Sequence, residues 1–234
     1  MSDALRAEWT KLTALRAIRW SLALTLVLTV LLTPLVAGSA SEGRESDPLQ
    51  VRLAGVYLGQ MAVAALGVTA IGSECTSGMI RVTFVATPRR RRVLAAKAAV
   101  VGGLVFAVGL LTCLASYAAG GAVSGVAPAD AVRRIAGTAV YVTGLALFSL
   151  GLDAVLRNTA AALSTVFAAL GVPLIVINLV PTDLGLKIAR LCSMFAGLAI
   201  QRTVEVADSI PIAPGAGLAL FCGYAAAALA LGFW

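Results

Sequence analysis

The stretch Ser73–Lys97 reads SECTSGMIRVTFVATPRRRRVLAAK, a densely basic interruption in an otherwise apolar chain. Four consecutive arginines, Arg89 to Arg92, follow Pro88. Its ring locks φ and removes a backbone N–H, so a helix arriving from the N-terminal side must end or kink there. Apolar runs flank the stretch, from about Leu53 to Ile71 and from about Val93 to Tyr117. Lys and Arg in short loops between membrane spans stay on the side where the chain is made. Residues 73–92 therefore read as a cytoplasmic loop between two spans, and the remaining elements follow from that placement.

Composition agrees. The 234 residues are 60% hydrophobic and 12% charged, with a mean hydropathy of +0.96. A soluble domain has about 45–50% apolar and about 25% charged residues. The sequence predicts an all-α polytopic membrane protein with six transmembrane helices. A net charge of +7 invites a nucleic-acid reading, but no soluble domain is present to hold such a surface. We read the charge as topology, with membrane lipid and not nucleic acid as its partner. Cys75, Cys113, Cys192 and Cys222 are far apart and histidine is absent, which argues against a zinc or haem site. Cys113 and Cys222 read as small apolar residues within spans.

In chain order, residues 1–19 form an N-terminal amphipathic interfacial helix. Leu5, Trp9, Leu12 and Leu15 make one apolar stripe, with Arg6, Lys11, Arg16 and Arg19 around it. Trp9 and Lys11 are its candidate anchors at the membrane surface, Trp9 at headgroup depth. The alternative, a signal peptide cleaved near Ala37-Gly38-Ser39, is disfavoured by the long polar lead and the later spans. The spans fall at 20–37, 51–72, 93–118, 135–152, 160–179 and 215–234. The second contains Gly55-Val56-Tyr57-Leu58-Gly59, a GxxxG that either permits close helix contact or reflects simple tolerance of small residues. Residues 181–205 are too polar for a span and too apolar for a plain loop. They read as an extracellular re-entrant or amphipathic segment preceding the last span.

With the N-terminus in the cytoplasm, the charges sort by side. The inside set has eleven basic residues (Arg6, Lys11, Arg16, Arg19, Arg81, Arg89 to Arg92, Lys97 and Arg157) and four acids (Asp3, Glu8, Glu74 and Asp153). The outside set balances, seven against seven. All of the net charge lies on one side, as the positive-inside tendency requires.

No catalytic constellation is present. GxxxxGK[ST], HExxH and GxSxG are absent, so the chain neither cradles a nucleotide phosphate nor carries a hydrolytic site. Span interiors are nearly free of ionisable residues, with Asp153 the nearest case at a membrane edge. Ion-coupled carriers need buried charges, so any transport draws its energy from outside the chain. Asp153 and Arg157 stand at i and i+4 and read as a helix-end pair. Glu74 lies at the cytoplasmic end of the second span. After it, Thr76 or Ser77 can cap a short helix, Gly78 allows close approach, and Met79, Ile80, Val82 and Phe84 supply an apolar face beside Arg81.

Glu74-x-x-x-Gly78-x-Ile80-Arg81, followed by a Pro-Arg-rich turn and a third span, resembles the ABC-2 type permeases of bacterial ATP-binding-cassette transporters. Glu8-Trp9-Thr10-Lys11-Leu12 and Leu156-Arg157-Asn158-Thr159-Ala160-Ala161-Ala162 are similar to actinobacterial members. The resemblance spans essentially the whole chain, but only these short motifs are specific. It implies a six-helix permease in the bacterial plasma membrane, both termini cytoplasmic, that dimerises with a second protomer and sits on two copies of an ATPase subunit. ATP and Mg2+ would bind that partner and no cofactor this chain. Within 73–92 a short coupling helix built on Glu74, Cys75, Gly78, Met79, Ile80 and Arg81 would dock on the ATPase, with Arg157 and Asn158 as a second cytoplasmic contact. Residues 183–205 would match re-entrant helices capping the outer end of the pathway. The cargo implied by the Ala, Gly, Val and Leu lining is hydrophobic or amphiphilic: a drug, lipid or lipopeptide. Two features depart from the family: Cys75 stands where an aromatic or His is common, and no basic tail follows the last span.

Arg89, Arg90, Arg91 and Arg92 read as topology and anionic-lipid contacts, each worth about 1 kcal/mol near an acidic leaflet. The other reading puts them in direct contact with the ATPase. A rival from another class is a non-transporting assembly or sensor subunit that recruits a cytoplasmic partner through the same loop.

Overall fold

The computed structural model describes residues 2–14, 16–40, 51–76, 90–119, 128–179, 197–201 and 214–232. Among these the chain is all helical. Seven helices follow one another: α1 (Ser2–Ala14), α2 (Arg16–Ala40), α3 (Val56–Thr76), α4 (Arg90–Ala119), α5 (Pro128–Leu156), α6 (Thr159–Leu179) and α7 (Pro214–Gly232). A 3₁₀ turn, Ala199–Gln201, precedes α7. Among the described residues five helices are long and apolar enough to cross a membrane: Arg16–Val36, Val56–Ser73, Val93–Ala119, Asp130–Leu156 and Gly215–Gly232. In α6 the stretch Thr159–Pro173 is a shorter apolar helix. In hydrocarbon every peptide group must bond within its own segment, which is why apolar runs of this length become helices.

Local signals set the ends. α5 opens on Pro128 with Asp130 in its first turn, a proline where no N–H is needed and an acid against the positive end of the dipole. α7 likewise opens on Pro214. α6 is capped by Asn158, whose Oδ1 accepts the N–H groups of Ala160 (3.1 Å) and Ala161 (3.2 Å). α4 begins at Arg90, so three of the four arginines occupy its first turn instead of a loop. Cations there oppose the helix dipole, so their placement does not serve helix stability.

α3 and α5 form the interior. Two thirds (67%) of the α3 span and 56% of the α5 span are buried, against 22% for α2 and for α7. α5 packs on α3, α4, α6, α7 and the 3₁₀ turn, while α2 packs on α3 and α4, and α1 mainly on α4. Two glycines allow the closest approaches. A Cβ at Gly55 would collide with the backbone of Thr29 in α2, and one at Gly67 with the backbone of Ala146 in α5. The Gly55–Gly59 pair therefore faces α2, which decides between the two readings of that motif in favour of close contact. On the outside, Trp20, Leu31, Leu35, Leu111, Ile175, Leu179 and Leu231 are all more than 60% exposed. So much apolar surface on separate helices fits hydrocarbon surroundings better than water.

The helices alternate in direction. Near one end, Gly72 of α3 meets Thr159 of α6, and Gly232 of α7 meets Ala154 of α5 and Leu94 of α4. α1 joins this end through Glu8 and Lys97. At the other end Thr33 of α2, Arg52, and Ser116 and Tyr117 of α4 come together. α1, the last turn of α3, the first turn of α4 and the α5–α6 corner thus converge on one end of the bundle. Of residues 181–205, only 197–201 are described, and these pack between α5 and α7. Gly197 lies on the Tyr141 ring and Ile200 on Gly137. The rest of that segment lies outside the described residues.

Candidate functional site

At the α1 end of the bundle, polar chemistry sits under an apolar cover. Glu8 is buried in α1, and its Oε2 lies 2.7 Å from Lys97 Nζ, where the side chains are 5% and 3% exposed. Its Oε1 accepts from Lys11 Nζ at 3.3 Å. One carboxylate therefore bridges two ammonium groups, one on its own helix and one on α4. Removing a buried pair from water costs several kcal/mol per ion and is repaid only by good geometry. Lys97 sits in the second turn of α4, inside a span. The buried face of α1 is Glu8 and Leu12, while Trp9 is half exposed and points away from it. The apolar stripe expected along α1 is thus split: Leu12 packs inward and Trp9 outward. The side chains of Leu5 and Leu15 lie outside the described residues.

The corner between α5 and α6 is the second feature. Arg157 has a φ of 50°, left-handed backbone that turns the chain sharply between the two helices. Its N–H donates to the carbonyl of Asp153 (2.8 Å), and its side chain is exposed. The expected Asp153–Arg157 ion pair does not form. Asp153 is 1% exposed, and neither carboxylate oxygen has a hydrogen-bond partner. The left-handed residue carries the Arg157 side chain off the face of α5, so i, i+4 spacing no longer brings the charges together.

Two other polar clusters stabilise the interior. In mid-bundle the Tyr141 hydroxyl donates to Gln60 Oε1 at 2.7 Å, Gln60 Nε2 donates to the Tyr57 carbonyl at 3.0 Å, and the Tyr141 ring packs on Phe221 with centroids 4.8 Å apart. At the opposite end the Thr33 and Ser116 hydroxyls lie 2.5 Å apart. Both reach the Arg52 carbonyl. The Arg52 guanidinium donates to the Tyr117 carbonyl at 3.2 Å and lies 5.5 Å from that residue's ring. Gln201, in the 3₁₀ turn, is fully buried with its amide unpartnered.

The residues expected to couple to a partner are placed unevenly. Glu74 and Cys75 fall in the last turn of α3, with their side chains outside the described residues, as are Gly78, Met79, Ile80, Arg81 and Arg89 altogether. Arg90, Arg91 and Arg92 are described in backbone only. Arg157 and Asn158 are both exposed at the α5–α6 corner, where Asn158 also caps α6. Cys113 is buried and Cys222 exposed. No three His, Cys, Asp or Glu residues among those described cluster as metal ligands.

Sequence reasoning missed the Glu8–Lys97 contact and the burial of Asp153. A signal existed for the first: Lys97 is the lone cation between the arginine run and Arg133, set within an apolar stretch, and Glu8 lies between the two cations of α1, Arg6 and Lys11. A scan against models of known protein families gave no match. A search of curated proteins gave none either.

Proposed function

We propose that this chain is the permease subunit of an ATP-driven exporter of the ABC-2 type. Six spans would be completed by α6, with residues 73–92 and the α5–α6 corner facing the cytoplasm of a bacterial cell and residues 181–205 re-entering from outside. The reading draws on the resemblance at Glu74–Arg81. The observation that carries it is the convergence, at one end of the bundle, of the last turn of α3, the first turn of α4, α1 and the exposed Arg157–Asn158 corner. A single cytoplasmic partner can touch all four. Closure of two ATPase subunits on ATP and Mg2+ would push on the 73–92 loop, and the push would enter α3 and α4 together. Because Glu8 and Lys97 tie α1 to α4, α1 would follow. In the dimer this would alter the angle between protomers and release a hydrophobic or amphiphilic cargo outward.

The test is gentle purification of the tagged protein from its native membrane, with partners identified and counted by mass spectrometry. A nucleotide-binding subunit at one copy per permease is the expected result. Its absence, with a regulator or assembly factor in its place, would transfer the loop to the sensor or assembly role.

A further inference from the structure

The unpartnered carboxylate of Asp153 is not alone. Gly67 of α3 lies against Ala146 and Ser149 of α5, and Asp153 follows one helical turn after Ser149 on the same face. The two helices run in parallel, with Gln60 opposite Tyr141 and Gly67 opposite Ser149. That register sets Asp153 level with Ile71 and Gly72. Gly72, in turn, lies against Thr159, the first residue of α6. The Thr159 hydroxyl is also shielded from solvent and without a hydrogen-bond partner. Two orphaned oxygen groups, one of them a carboxylate 1% exposed, therefore meet α3 at the same turn. The Ser149 hydroxyl, one turn away, spends its proton on the Leu145 carbonyl and keeps its lone pairs.

Among the described side chains, no cation is placed to neutralise this acid. The only charged residue of α3 is Glu74, whose side chain lies outside the described residues; α6 and α7 carry none. Lys97 of α4 is engaged with Glu8, and the side chains of Arg90 to Arg92 lie outside the described residues. On α5 itself Asp130, Arg133 and Arg134 stand near the other end of the helix, and Arg157 points outward. A buried charge must be paired or neutralised, and oxygen donors of this kind suit small hard cations. One carboxylate balances one positive charge.

We infer that the corner between α3, α5 and α6 is a monovalent-cation site, in which the Asp153 carboxylate, with the Thr159 and Ser149 hydroxyl oxygens, takes up a proton or a sodium ion. This stands independently of the exporter reading, since it needs no partner subunit. It gives the chain a cation-dependent element at the root of the loop that follows α3.

The experiment uses the purified full chain and dicyclohexylcarbodiimide, an apolar reagent that adds to a protonated carboxyl buried in a membrane protein. Adducts are mapped by peptide mass spectrometry across a pH series, in choline chloride and in sodium chloride at equal ionic strength. The expected result is an adduct on Asp153 at acid pH in choline. Loss of the adduct on raising pH, with no effect of sodium, identifies the proton as occupant; protection by sodium at fixed pH identifies sodium. Absence of the adduct at every pH in choline, or a yield indifferent to both pH and sodium, would overturn the site. Ser149→Ala with Thr159→Val leaves Asp153 in place and should shift the midpoint of the pH or sodium dependence several-fold. An unchanged midpoint would overturn the clustered site.

Discussion

Glu8 in the N-terminal helix and Lys97 in α4 lie 2.7 Å apart with almost no solvent contact. A helix that composition alone would leave on the membrane surface is thereby fastened to a span. Breaking a buried pair from one side costs about 3–5 kcal/mol, because the surviving charge stays buried. Lys97→Met should therefore lower stability by an amount in that range, and Glu8→Gln similarly. Glu8→Lys combined with Lys97→Glu should recover much of the loss. Denaturant unfolding in detergent, with protease sensitivity of α1 as a second probe, checks this; equal stability of the single variants and the parent would remove the pair as a fastener.

Tyr141 and Gln60 give a cleaner test of interior polarity. Tyr141→Phe leaves Gln60 Oε1 buried without its donor and should cost about 1–3 kcal/mol. Adding Gln60→Leu removes the stranded group, so the double variant should be closer to the parent than Tyr141→Phe alone. Thermal unfolding of the four proteins in one detergent reads the cycle.

Glycine positions divide into two kinds. Gly55→Val drives a side chain into the Thr29 backbone and should cost at least about 1–3 kcal/mol. Gly103→Ala meets nothing within 4 Å and should be neutral or stabilising by up to about 1 kcal/mol, since alanine favours helix over glycine. Reversal of that order in melting temperature would refute the α2–α3 packing.

Asn158→Ala removes the cap of α6 and should destabilise by about 1 kcal/mol. Asn158→Asp, which keeps the acceptor and adds charge at the dipole's positive end, should not.

Charge reversal at Glu74 or Arg81 addresses coupling. In the proposed exporter these variants should insert and dimerise normally but lose transport while the partner continues to hydrolyse ATP. Normal export by both would remove the coupling assignment.

Much of the bundle was legible in the residues because hydropathy over about twenty positions is a strong signal. Val93–Ala119 and Gly215–Gly232 match expectation closely. The role of Gly55–Gly59 was open until Thr29 appeared against it, since a one-dimensional motif does not name its neighbour. The helix of the arginine run reaches beyond its span: the span begins at Val93 as expected, and hydropathy carries no signal for the charged turn ahead of it. Arginine forms helix readily enough to start α4 at Arg90. Asp153 was misread for a different reason: i, i+4 spacing assumes a continuing helix, and Arg157 leaves it at a φ of 50°. In the candidate coupling region, Glu74 and Cys75 are now placed in α3's final turn, while the pairing of Glu8 with Lys97 needed three dimensions because 89 positions separate them.

The parallel pairing of α3 with α5 has a consequence for how the chain is made. α3 is complete at Thr76, yet the helix that covers its small-residue face does not begin until Pro128. During synthesis α2 is the one earlier helix that shields it, along the Gly55–Thr29 contact. Its other face waits for α5. Until then the Gln60 amide, bound for Tyr141 81 residues later, has its own helix to bond to, at the Tyr57 carbonyl. Assembly of the bundle is therefore ordered: its central helix is laid down early and completed late.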